Sequence, residues 1–95
     1  MEKTIAGYTK TDHFLLRQWQ RKVPDDLLFK VLNALNEENG NFLLIVSRSF
    51  IKKSSKQKTT ELFVKIKGKV LVTCFYGNLN EIMKSTNNDN YKLIQ

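Results

Sequence analysis

Residues Glu61–Tyr76 read ELFVKIKGKVLVTCFY, two strand-forming runs on either side of Gly68. Glycine can take the positive φ that a tight turn demands, so the segment predicts a hairpin of Glu61–Lys67 with Lys69–Tyr76, closed off by Gly77-Asn78. In the first run Leu62, Val64 and Ile66 alternate with Phe63, Lys65 and Lys67, the period of a strand with two unlike faces. Upstream, Phe42–Ile51 (FLLIVSRSFI) is rich in β-branched and aromatic residues and apolar on both faces in its first half, as a central strand would be. Lys52–Thr60 (KKSSKQKTT) has no apolar residue and predicts a basic loop between these strands.

The N-terminal half has the helical period instead. Thr11 or Asp12 can cap a helix over His13–Lys22, with Leu15, Leu16 and Trp19 on its core face and His13, Arg17, Gln20 and Arg21 on the other. Pro24 stops it and opens a second helix running to about Asn36, with Asp25 and Asp26 complementing the dipole of its first turn. Leu27, Leu28, Val31, Leu32 and Leu35 form its buried stripe, and Asn39-Gly40 ends it. Beyond the hairpin, Asn80–Ser85 predicts one helical turn, Thr86–Asn90 a polar linker and Tyr91–Gln95 a short edge strand. The expected fold is α+β: two N-terminal helices on one face of a three- to four-stranded antiparallel sheet, with Ser47, Ser49, Lys65, Lys67 and Thr73 on the face left for a ligand. Residues 1–95 make one domain, with its core in 11–77 and a short C-terminal extension over 78–95.

Composition narrows the chemistry. Ninety-five residues are too few for a dinucleotide fold or an eight-stranded α/β barrel, and no glycine-rich nucleotide loop occurs. The single cysteine, Cys74, lies in the apolar run VLVTCF and reads as a small buried hydrophobe, which leaves no disulfide, CxxC or zinc cluster. One histidine and scattered carboxylates supply no metal-ligand set, so no metal and no small-molecule cofactor is expected. The first ten residues contain no secretory h-region, and no apolar run has the length of a membrane span.

The net charge is +7, and its excess is local. Arg48–Lys69 holds Arg48, Lys52, Lys53, Lys56, Lys58, Lys65, Lys67 and Lys69 against Glu61 alone, whereas the rest of the chain is balanced. A concentrated cationic stretch suits a polyanion, because each lysine or arginine that neutralises a phosphate releases condensed counterion. His13, Arg17 and Arg21 recur every fourth residue, which sets the chain's one imidazole beside two guanidiniums. Metal-free RNA cleavage needs such a proton carrier together with cations at the phosphoryl group, the 2′-hydroxyl being the nucleophile. Arg48 is placed either to clamp phosphate or to pair with Glu61; Thr73 can orient phosphate or a catalytic group; Tyr76 can stack on a base.

The stretch DHFLLRQWQRKVPDDLLFKVLNAL (12–35), followed by KGKVLVTCFYG (67–77), resembles small bacterial ribonuclease toxin domains of the barnase, EndoU, colicin and RelE-like group. The likeness spans about residues 11–77 and consists of His13, Arg17 and Arg21 on the first helix with Thr73 in the last long strand. The chain lacks the paired glutamate and histidine of barnase and the second histidine of EndoU enzymes. The resemblance implies a toxin that cuts tRNA or other cytoplasmic RNA and is neutralised by a cognate immunity protein or antitoxin. It would act in the cytoplasm, and it is compatible with delivery as the C-terminal domain of a larger exported protein. His13, Arg17, Arg21, Arg48 and Thr73 are then the expected catalytic set, with Lys52, Lys53, Lys56, Lys58, Lys65, Lys67 and Tyr76 holding substrate. The competing expectation is a non-catalytic module, either nucleic-acid-binding or enzyme-inhibiting, in which the lysines matter and His13 does not.

Overall fold

A computed structural model describes residues 2–35, 40–54, 60–77 and 90–95, with backbone only at 52–54. The expected hairpin is present as β4 (Glu61–Lys67) and β5 (Val70–Gly77), antiparallel, with Gly68 at φ +64 in a two-residue turn. β3 (Asn41–Val46) pairs antiparallel with β4, which completes the three-stranded centre.

The sheet extends further than the sequence suggested. β1 (Thr4–Ile5) and β2 (Tyr8–Lys10) form a small N-terminal hairpin through Ala6 and Gly7, both at positive φ, and β2 then pairs parallel with the start of β5. β6 (Tyr91–Ile94) is the expected C-terminal edge strand, but it runs parallel to β3. The order is β1-β2-β5-β4-β3-β6, a mixed sheet of six described strands in place of a three- to four-stranded antiparallel one.

Thr11 caps α1 (Asp12–Arg21) by accepting from the Phe14 amide at 2.9 Å, and Lys22 ends it at φ 55 in the left-handed region. α2 (Asp25–Ala34) buries Leu27, Leu28, Val31 and Leu32, with Leu35 beyond its end, as its stripe predicts. A third helix, α3 (Arg48–Ser54), replaces the second half of the expected strand and the start of the expected basic loop. Ser47 is the cause: its Oγ accepts from the Phe50 amide at 3.2 Å and its carbonyl from the Ile51 amide at 3.1 Å, which nucleates a helical turn.

The main core lies between the helices and one sheet face, where Leu44, Val46, Leu62, Val64, Ile66, Leu71 and Cys74 meet Phe14 and the α2 stripe. Its rotation about α1 differs from the expected one. Phe14 and Gln18 are the buried residues of α1, while Leu16 and Trp19 are exposed. Gln18 is held inward by polar bonds: its Nε2 donates to the Val23 carbonyl at 2.9 Å and to Asp25 Oδ1 at 2.6 Å. Lys10, also buried, donates to the same Asp25 oxygen at 2.7 Å. This trio ties β2, α1 and α2 together, and an apolar-period reading of α1 does not find it.

The opposite sheet face is not the open ligand surface expected. Leu43, Ile45 and Phe63 form a second buried cluster there with Phe75 and Tyr91 packed against it, and the Phe63 and Phe75 rings stack at 5.2 Å. The hairpin end of that face is polar, where Lys65 stands across from Thr73 and Lys67 is exposed. No described helix is long and apolar enough to cross a membrane.

Candidate active site

The candidate site lies where α1 leaves the sheet beside β5. β2 accompanies β5 only to the Lys10–Leu71 pair, after which the chain turns into α1. Thr11 fastens that departure, its amide donating to the Leu71 carbonyl at 3.1 Å and its hydroxyl to the Val72 carbonyl at 3.0 Å. The β4–β5 register shifts here, with Leu71 paired to Ile66 and Thr73 to Lys65, so Val72 is an extra residue. Such a bulge bends its strand and re-aims the next side chain. Thr73 is that side chain, and His13, in the first turn of α1, meets it with Nε2 3.1 Å from the threonine Oγ1.

This contact joins residues sixty positions apart on the exposed surface. A hydroxyl beside one ring nitrogen fixes the ring plane and can donate to neutral imidazole or accept from imidazolium. His13 Nδ1 has no partner among the described residues and stays available to a substrate.

The rest of the arginine stripe departs from the imidazole. A spacing of four residues overshoots one helical turn by about 40°, so His13, Arg17 and Arg21 wind progressively around α1 towards the core. His13 is exposed and Arg17 half-buried, with Arg17 Nη1 donating to Gln20 Oε1 at 3.1 Å. Arg21 is also half-buried, and its Nε is buried with no partner among the described residues. Its charge reaches Cys74 on the core side of β5: burial pushes that thiol up to about 12, against smaller lowering by Arg21 and Lys10. Cys74 is therefore a buried hydrophobe, as its apolar run indicated.

Arg48 does not join the site. It opens α3 rather than sitting in a strand, and its Nε is 3.1 Å from Glu61 Oε2. Glu61 pairs with Gly77, four residues along β5 from Thr73, a separation of about 13 Å. Of the two roles open to Arg48, the ion pair is the one formed. Tyr76 faces the core side with Leu62 and Cys74, half-buried, and burial, reinforced by Cys74, raises its phenol above the ordinary value. A half-buried phenol on that face is not set to stack on a base beside His13.

Among the substrate lysines, Lys65 is the one adjacent to the site, directly across from Thr73, and Lys67 lies further towards the turn. Lys52 and Lys53 belong to α3 rather than to a loop. Lys56 and Lys58 lie outside the described residues. Among the described residues no three His, Cys, Asp or Glu side chains gather as metal ligands. Comparison with models of protein families, with curated proteins and with solved structures finds no match in any of the three.

Proposed function

We propose that this chain is a metal-independent endoribonuclease toxin domain whose reaction centre is the seam between α1 and β5. The observation that carries the reading is the 3.1 Å contact of the exposed His13 imidazole with Thr73. Thr73 holds the ring, His13 takes the proton from a ribose 2′-hydroxyl, and the 2′-oxygen bonds to phosphorus as the bond to the 5′-oxygen breaks. The imidazolium returns that proton to the departing 5′-oxygen, leaving a 2′,3′-cyclic phosphate and a 5′-hydroxyl end. Lys65, directly across the strand pair from Thr73, is the cation beside the contact and neutralises the charge that grows on the phosphoryl oxygens. Substrate is tRNA or other cytoplasmic RNA, and the partner is an immunity protein or antitoxin that covers the cationic surface.

The test is incubation of the purified chain with RNA in chelator, followed by sequencing of 5′-hydroxyl ends. The expected outcome is RNA cleavage that His13→Ala lowers at least about 100-fold with the fold retained, DNA remaining intact. Uncut RNA in the presence of well-folded wild type defeats the catalytic reading. A second reading, a basic RNA-binding module without catalysis, is favoured by the ion pair of Arg48 with Glu61 and the inward turn of Arg21, which take two guanidiniums from the imidazole. Under it RNA binds uncut, and expression without a protective partner is harmless rather than toxic.

A further inference from the structure

Phe75 follows Thr73 by two residues on β5 and shares its sheet face, since Cys74 and Tyr76 alternate with them towards the core side. Its ring lies parallel to that of Phe63, its partner across the strand pair, with 5.2 Å between centroids and 10° between planes. Phe63 is fully buried, so one face of the Phe75 ring rests on a rigid support. Parallel rings set side by side on neighbouring strands leave the second face of Phe75 turned away from β4. On that side β5 has no strand neighbour beyond Leu71 among the described residues, and α1 brings His13 there to meet Thr73. Phe75 keeps part of its surface open to solvent, unlike Leu43, Ile45 and Phe63 of the same cluster.

This sheet face is graded along the hairpin. From the turn outward its successive pairs are Lys67 with Val70, Lys65 with Thr73, and Phe63 with Phe75. Cations, then a hydroxyl with the imidazole beside it, then an aromatic ring follow one another in the order in which a nucleotide carries phosphate, ribose and base. Each step along β4 is about 7 Å, short enough for one nucleotide to touch adjacent pairs. Lys65 and Lys67 belong to the segment 48–69 that holds the charge excess, so the charge that favours a polyanion stands on this face.

We propose that Phe75 is the base platform of the reaction centre: the nucleotide that supplies the 2′-hydroxyl stacks its unpaired base on the open face of the ring, with its 3′-phosphate towards Lys65. The inference rests on the reading of the chain as a ribonuclease and adds the residue that holds the base. A ring already fixed by Phe63 loses little freedom when a base lands on it. Stacking of this kind needs a base splayed out of any duplex, so the substrate class is single-stranded RNA or a loop. Tyr76, which the sequence offered as the stacking aromatic, lies one residue further and therefore on the other side of the sheet.

The experiment measures binding of the full chain to a dye-labelled 2′-O-methyl oligoadenylate, which has no 2′-nucleophile and stays intact, and to an oligomer of the same length and charge that lacks bases. Expected is a wild-type preference of about 5- to 100-fold for the base-bearing strand, which Phe75→Leu abolishes and Phe75→Tyr keeps. Because leucine in place of one stacked ring can loosen the fold, the Phe75 ring resonances are also followed by NMR in the wild type. They should move with the oligoadenylate and stay in place with the baseless oligomer. Unmoved resonances at saturation, or the wild-type preference in well-folded Phe75→Leu, overturns the proposal. So does a dimer in sedimentation that Phe75→Leu abolishes and the oligoadenylate leaves intact, because a second copy then covers the ring. The two readings fail separately: a Phe75-dependent base preference without RNA cleavage defeats the nuclease alone, and cleavage with a base preference independent of Phe75 defeats the platform alone.

Discussion

Asp25 Oδ1 accepts from both Lys10 and Gln18, so one oxygen joins three elements. The Lys10 side chain is completely enclosed, and an ammonium in that position is tolerable only with its carboxylate partner present. Removing one partner should cost far more than removing both. Lys10→Met is expected to lower stability by about 3–5 kcal/mol in urea unfolding, and the double variant Lys10→Met/Asp25→Leu to recover most of that loss. A strictly additive pair of effects would show that the two groups are not coupled. Gln18 and Lys10 are polar, and nothing in their residue types announces that they are buried. Their burial follows from the Asp25 carboxylate, which is brought to them only when α2 folds back against α1.

Thr11 acts at the scale of the element, capping α1 through Phe14 and anchoring it to the β5 bulge through Val72. Thr11→Val keeps the branch at Cβ and removes both bonds. It should cost about 1–2 kcal/mol in thermal or urea unfolding. Because the same anchor sets His13 against Thr73, RNA cleavage should fall in this variant by more than the population of unfolded chain explains, which activity measured well below the melting temperature checks. The N-cap of α1, the α2 stripe and the hairpin at Gly68 were legible, since each depends on neighbours within a few residues, whereas α2 ends at Ala34 rather than at the expected Asn36. The core face of α1 was not legible. Leu15, Leu16 and Trp19 outweigh Phe14 in an apolar count, but the bonds of Gln18 to Val23 and Asp25 decide the rotation. α3 was legible in principle from the serine that caps it, and the strand-like composition of Phe42–Ile51 obscured that signal.

For the molecule as a whole, Asp25 links stability to acidity. Burial raises its pKa, but the hydrogen bonds of Lys10 and Gln18 and the Lys10 charge outweigh this and hold the carboxyl below its ordinary value of 3.8. The unfolded chain therefore binds the proton more tightly, and stability rises with pH between the two values. The contribution is complete above the unfolded value and disappears as pH falls through the folded one. Urea midpoints measured from about pH 6 down to about pH 2 should drop on the acid side of 4, with Asp25→Asn showing a lower plateau and a shallower acid limb. An acid limb as steep in Asp25→Asn as in wild type would assign the loss to other carboxylates.

The amino-acid sequence by itself determined the α+β class and the central β3–β4–β5 meander, because local period and turn chemistry carry that information; it named His13 and Thr73 as candidates, and the fold alone brings them into contact. Only the tertiary structure decided that β2 and β6 add as parallel edges, that the far sheet face is half apolar core, and that Arg21 and Arg48 turn away from the imidazole. The physical reason is range. A cap or a turn is settled within about four residues, whereas a strand's neighbour, a helix's rotation and an arginine's partner are settled by competition among groups far apart in the chain.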